Sequence, residues 1–373
     1  MEDNYFDDIR PYNDEEMREV VGAMLKNPEL SNVASKYLTF VSFEDLVAQL
    51  RTVKTVEELQ TKIMYPAVES IIKSTSDGFI AEGLENFADT DNILFISNHR
   101  DIVLDATILQ YILKGNNHAT SEIAVGDNLL HNPVYYNIMR MNKMIITKRS
   151  DSIHEKLKNA IHLSEYVRHS IVEKGNSVWI SQRNGRTKDG SDSTDAGLIN
   201  MLNISGKRSF TENMNELNIV PLSISYQYEP CDFLKTHEVM MSRRDKYVKR
   251  QNEDYNSIKQ GILQKKGKII FTFSPKVKIE QNDFDLPKNE QCRKFASIID
   301  KQIRGAYRFW DTNYYAFDIL KHGNNFPEDK VRDFIDYMNE GLAAVGITKD
   351  DYDEARDIFL HIYANPIINS MRK

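Results

Sequence analysis

The chain has little cysteine. Its 373 residues include only Cys231 and Cys292, far apart. Two thiols support neither a disulfide framework nor a cysteine metal site, so a reducing compartment is the expectation. Long apolar runs are also missing. None approaches the roughly 20 residues that span a bilayer, and any membrane contact is expected to be peripheral. The opening Met1-Glu2-Asp3-Asn4 is acidic and lacks the apolar core of a signal peptide. Basic charge is not in excess either. The net charge is -7, which argues against a general nucleic-acid binder. There is no internal repeat, no low-complexity segment and no Gly-x-Ser-x-Gly elbow of the kind a serine hydrolase or thioesterase needs.

What remains is an ordinary globular composition, 41% hydrophobic and 28% charged, long enough for one large embellished domain or two domains. Residues 1–75 read as helical. Asn13 can cap a helix carrying Met17, Val20, Val21, Met24 and Leu25 on one face, and Thr55-Val56-Glu57-Glu58 is a capping box. From about Gly78 short apolar runs alternate with helical ones. Strands are expected at Asn92 to Ile96, Ile123 to Asp127, Met144 to Thr147, Ser177 to Ile180, Asn218 to Tyr226 and Gly267 to Phe273, with a helix from Ser152 to Glu173. This pattern predicts an α/β layered domain over 76–285, with a central mixed, largely parallel sheet flanked by helices. Residues 286–373 return to helical periodicity, at Arg293 to Phe309, Glu328 to Ala344 and Asp350 to Tyr363. Arg183 to Asp195 reads as a mobile polar loop.

Chemistry concentrates where the first strand ends. Ile93-Leu94-Phe95-Ile96 runs into Ser97-Asn98-His99-Arg100-Asp101, and an amphipathic run follows from Ala106 to Leu113. Strand ends that open helices are where α/β sheets bind ligands. A histidine with a nearby carboxylate is the minimal general-base unit, because the carboxylate fixes the tautomer and stabilises the imidazolium. Asp101 and Asp105 both offer that carboxylate, and Asp101 also reads as a cap of the next helix. Five residues separate His99 from Asp105, so on a continuous helix the two would diverge. A helix starting after Asp101 restores the geometry. Past other strand ends lie Lys148-Arg149 and Asn184-Gly185-Arg186. Arginine offers a planar fork to phosphate, lysine a point charge, and glycine a close backbone approach.

These segments, in this order, resemble the four motif blocks of the glycerolipid acyltransferase superfamily, the glycerol-3-phosphate and 1-acylglycerol-3-phosphate acyltransferases. Asn98-His99-Arg100 with Asp105 resembles the first block. Gly126-Asp127-Asn128 through Lys148-Arg149 resembles the second, Asn184-Gly185-Arg186-Thr187 the third, and Ile219-Val220-Pro221 the fourth. The run His-Arg-Asp-Ile-Val-Leu-Asp, with Asn313-Tyr314-Tyr315 downstream, is most similar to a soluble-looking bacterial branch. Three positions depart from the pattern. His99 and Asp105 are one residue further apart, Asn184 stands for a glutamate, and Thr187 stands where the third block has its arginine.

The resemblance implies an O-acyltransferase of phospholipid synthesis with His99 as base and Asp105 or Asp101 as its partner. It implies Arg100, Lys148, Arg149, Asn184, Gly185 and Arg186 around the acceptor. The donor would be acyl-CoA or an acyl carrier protein, and the acceptor a glycerol phosphate or lysolipid, with no metal or bound cofactor. The place of action would be the cytoplasm, at the inner face of the membrane. Another lipid acceptor, such as an amino-acid lipid, or a non-catalytic lipid-binding role are the alternatives. The other histidines, including His118, His131 and His162, read as ordinary surface residues or as residues satisfied by their own partners. The aromatic group Tyr307 to Trp310 with Tyr314-Tyr315 reads as core, with a face for an acyl chain or lipid as the alternative. The basic stretch Arg243 to Lys268, which includes Lys246, Lys249, Arg250 and Lys266, suits either an anionic membrane surface or a solvated helix face.

Overall fold

The computed structural model describes residues 3–37, 41–88, 91–129, 132–245, 247 and 253–371. His131, Lys246, Lys249 and Arg250 lie outside the described residues. Among the described residues five α-helices come first: α1 (Asp14–Met24), α2 (Glu29–Tyr37), α3 (Phe43–Thr52), α4 (Val56–Leu59) and α5 (Tyr65–Thr75). Both caps are present, the second without its box, since the Glu58 carboxylate accepts from Lys54 N at 2.7 Å. Asn13 accepts from the amides of Glu15 and Glu16 while the Glu16 carboxylate returns a bond to the Asn13 amide, and Thr55 accepts from Glu58 N. Such caps satisfy amides that the first helical turn leaves without partners. The helices bury Met17, Leu46, Leu59 and Ile63 together with Val134 and Met141.

Strands and helices then alternate. The elements are β1 (Ser76–Glu82), β2 (Leu94–Ser97), α6 (Leu104–Gly115), β3 (Glu122–Gly126), α7 (Pro133–Met141), β4 (Met144–Thr147), α8 (Ile153–Arg168), β5 (Val178–Ser181), α9 (Ala196–Ile204), α10 (Phe210–Asn215), β6 (Ile219–Tyr226), α11 (Asp232–Arg244), α12 (Glu253–Leu263) and β7 (Gly267–Phe273). They form a seven-stranded sheet in the order β1-β7-β6-β2-β5-β3-β4. Strands β6, β2, β5, β3 and β4 are parallel. β7 pairs antiparallel with β6, and β1 parallel with β7, so the sheet is mixed as expected. One face packs Tyr166, Val167, Ile199 and Ile299, the other Ile108, Leu109, Ile112 and Phe273. The strand ends at Ser97, Ser181, Gly126 and Thr147, of the adjacent parallel strands β2, β5, β3 and β4, therefore open along one side of the sheet.

The chain closes with α13 (Lys288–Gly305), α14 (Asp311–Leu320), α15 (Glu328–Ala344) and α16 (Tyr352–Ser370). Three findings differ from the sequence expectation. The strand β1 was not foreseen, because an edge strand beginning Ser-Asp-Gly is largely exposed and lacks an apolar run. The basic stretch is not a uniform face. Lys266 is buried and donates to Thr75 Oγ1 at 2.9 Å and Gln264 O at 2.8 Å, while Arg244 pairs with Asp351 and Glu354. The loop from Arg183 to Asp195 is pinned, by Thr187 N to His99 O (2.8 Å) and Asp195 N to Gln182 O (2.9 Å). No helix among the described residues is long and apolar enough to cross a membrane.

Candidate active site

Strand β2 ends at Ser97, and α6 begins only at Leu104. His99 therefore lies in a loop and Asp105 in the first turn of the helix. This is the register in which a six-residue separation folds back on itself. His99 Nδ1 meets Asp105 Oδ2 at 2.9 Å. Asp105 is wholly buried and its oxygens are saturated. Oδ2 also accepts from Arg100 N (2.6 Å) and Asp101 N (3.0 Å), and Oδ1 accepts from the Tyr226 hydroxyl (2.9 Å). Burial of a carboxylate is tolerable where several donors replace its water, and the positive end of the α6 dipole adds to them. With Nδ1 turned to Asp105, the lone pair of the neutral ring falls on Nε2. The His99 side chain is 14% exposed and its Nε2 has no hydrogen-bond partner among the described residues. Trp179 packs edge-on against the imidazole at 5.6 Å, and its indole donates to Ser97 Oγ at 2.9 Å.

The competition between the two aspartates resolves by geometry. Asp101 Oδ1 accepts from Val103 N (2.9 Å) and Leu104 N (2.8 Å), which closes the start of α6. Its Oδ2 is buried without a hydrogen bond, and burial holds its carboxyl above the usual range. Asp101 thus caps the helix and does not touch the imidazole. α12 lies directly over it, since a Cβ at Gly261 would come within 2.0 Å of Asp101 Oδ2.

Arg100, expected beside the acceptor, is an internal tie. It is fully buried, with Nη2 paired to Asp192 and Nη1 at 3.3 Å from Glu229, and its guanidinium lies 5.1 Å over the Tyr307 ring. Lys235, also buried, donates to the Arg100 carbonyl (2.7 Å) and to Glu229 (2.6 Å). A guanidinium so enclosed and paired cannot reach a substrate. Lys148 pairs with Asp8 at the surface.

Two other segments do come together. Arg149 Nη2 donates to Asn184 Oδ1 at 2.8 Å, and the Arg149 amide is held by Asp127 at 3.1 Å. Gly185 follows at φ +78°, a left-handed conformation that glycine adopts without strain, and nothing stands within 4 Å of where its side chain would be. Arg186 is 8% exposed, its Nη1 has no partner, and its charge acts on Asp101 against the effect of burial. An unpartnered buried guanidinium nitrogen is a costly group unless something binds it.

Tyr226, Trp179 and Asp192 escaped the sequence reading. Tyr226 carries a signal in its position, as the last residue of the strand that carries the fourth block. Asp192 carries none, since a carboxylate in a polar loop looks like any other.

A wide apolar cavity of about 220 Å³ lies on the α6 side of the sheet. Leu46, Leu50 and Ile63 from the opening helices, Ile258 and Ile262 of α12, and Val103 and Leu104 at the head of α6 line it. It therefore begins next to the His99 loop. No cluster of three or more His, Cys, Asp or Glu able to hold a metal occurs among the described residues.

Residues 79–225 match the family model for Acyltransferase. No curated protein matches the chain. Among solved structures the chain is similar to the 1-acyl-sn-glycerophosphate (LPA) acyltransferase PlsC of Thermotoga maritima, with 14% identity, 78% of this chain and 96% of that chain covered, and a TM-score of 0.37. The family match spans the His99 loop, the Lys148-Arg149 and Asn184-Gly185-Arg186 segments and the β6 strand, so the segment that is similar to an Acyltransferase domain is the one that carries the site.

Proposed function

We propose that the protein transfers a fatty acyl group from an acyl thioester to a hydroxyl of glycerol 3-phosphate or 1-acylglycerol 3-phosphate, with His99 as general base. The observation that carries this reading is the His99–Asp105 pair, with Nε2 turned outward at the strand edge. In the reaction, Nε2 takes the hydroxyl proton as the oxygen attacks the thioester carbonyl. The new ester forms, the carbon–sulfur bond breaks, and the thiolate recovers the proton from the imidazolium. Asp105 holds the tautomer and stabilises the charged ring. No acyl-enzyme is needed.

Arg149, Gly185 and Arg186 are the groups we assign to the acceptor phosphate. Asn184 supports this assignment. As a neutral acceptor it orients Arg149 without cancelling its charge, which a glutamate there would do. The apolar cavity beside Val103 and Leu104 suits the acyl chain. The donor, acyl-CoA or an acyl carrier protein, needs only a thioester at its tip.

The test is thiol release from an acyl thioester, measured with acceptors that carry or lack a phosphate. General-base catalysis accounts for roughly 10²–10⁴-fold in rate, so His99→Ala should lose activity on that scale with its fold intact by circular dichroism. Equal rates for the two proteins would remove the base role. Indifference to the phosphate would remove the roles of Arg149 and Arg186 and leave an amino-acid lipid or other lysolipid as acceptor.

A further inference from the structure

The first two turns of α8 stand clear of the rest of the protein. Every residue from Asp151 to Lys158 is exposed, and the helix becomes buried only at Leu163, Ser164, Tyr166 and Val167. Two of the exposed residues are large and apolar, Ile153 at 85% and Leu157 at 51% exposure. They sit four apart, so they share a face, and the stripe they begin continues into Ser164 and Val167 on the core. The cause is a mismatch of lengths. α8 has 16 residues and the β4 strand before it has four, about 24 Å against about 13 Å. α8 starts where β4 ends and returns along the sheet, so its first turns project past the strand ends. That is the edge where His99, Arg149 and Asn184 lie.

The tip is also rimmed by cations on a chain whose net charge is -7. Arg149, Lys156 and Lys158 are exposed and make no ion pair among the described residues, against Asp151 and Glu155 nearby. A convex tip of two turns is too small to be a stable protein interface, which takes about 800 Å² from each partner. It has the form of an element that enters a lipid interface, apolar at the point and basic at the collar.

We propose that the tip of α8 docks this acyltransferase on an anionic lipid surface. Ile153 and Leu157 enter the interface, Lys156 and Lys158 meet headgroup phosphates, and the edge carrying His99 is turned to the bilayer. The docking itself is independent of the reading above; only its effect on turnover rests on that reading.

The experiment is co-sedimentation of the full chain with vesicles of phosphatidylglycerol and phosphatidylcholine, or of phosphatidylcholine alone. Wild type should pellet with the anionic vesicles and less with the neutral ones. Ile153→Asp with Leu157→Asp should weaken partition about 10-fold or more, and Lys156→Glu with Lys158→Glu should flatten its salt dependence. All four positions are exposed, so the variants should fold. Thiol release with a short-chain, water-soluble acceptor should be unchanged in both, and release with a vesicle-borne acceptor should fall. Wild type that fails to pellet, or variants that pellet as wild type does, would overturn the proposal. So would variants that pellet normally and lose only the use of an acyl carrier protein donor, which would give the tip to that protein. A chain that releases no thiol with any acceptor would remove the acyltransfer reading, and vesicle partition would still decide this one.

Discussion

At the scale of residues, the site is a histidine whose carboxylate is itself held by three further donors. The most informative of them is the Tyr226 hydroxyl on Asp105 Oδ1. Removing that donor leaves Asp105 Oδ1 buried without a partner and loosens the carboxylate that orients the imidazole. Tyr226→Phe should therefore lower kcat for thiol release by roughly 10- to 100-fold, the scale of the ~1.5–3 kcal/mol of a hydrogen bond to a charged group. It should leave KM for the thioester little changed, since the hydroxyl faces Asp105 and not the donor. A variant that keeps the wild-type kcat would make the hydroxyl a packing group. The residue scale is also where the sequence was most and least legible. His99 and Asp105 could be read because both stand in one continuous segment after a strand. The burial of Arg100 could not be read, because Asp192, Glu229 with Lys235, and Tyr307 come from three segments far from it in the chain. Motif position and solvent access are separate properties, and only the first is written locally.

At the scale of elements, the opening helices and α6 enclose the apolar cavity, and its volume should set which acyl chains fit. Ala34 on α2 and Ala67 on α5 line its wall. Ala34→Leu and Ala67→Leu should shift preference toward shorter acyl thioesters, raising KM for long donors several-fold with short ones little affected. A uniform loss over all chain lengths would mean that the cavity does not hold the chain. The strands of the central sheet were legible in the sequence to within two residues, because buried parallel strands are uninterrupted apolar runs. β1 was not, being half-exposed and polar at its start. The basic stretch failed for a different reason. Charge counts along a chain do not distinguish Lys266, packed inward against Thr75, from Lys259 and Lys268, which face water.

At the scale of the whole molecule, the α/β domain and the C-terminal helices share a buried polar knot. Asp232 at the head of α11 accepts from the hydroxyls of Tyr337 (2.9 Å) and Tyr363 (2.6 Å) and from Gln264 (2.8 Å). Tyr363 also meets Glu229 N at 3.0 Å, next to Arg100. Burial pushes the Asp232 carboxyl up from 3.8 to about 6. Below about pH 4 the group is protonated in both folded and unfolded chains. Between there and pH 6 the folded chain alone keeps its proton, so stability falls as pH rises through that window, and above it the loss is complete. Melting temperatures of wild type and Asp232→Asn should therefore converge or diverge only between about pH 4 and 6, with wild type losing ground as pH rises. A constant gap across that window would show that the carboxyl titrates as it does in the unfolded chain. The tie at Arg100 has one more consequence, for the timing of synthesis. The loop that carries His99 is braced by Asp192, Glu229, Lys235 and Tyr307. A ribosome that has released the first 225 residues has delivered every motif, yet the brace is still unmade. Activity should thus arrive late, with the emergence of Tyr307 just past the helix that ends in Gly305, and not with the last motif.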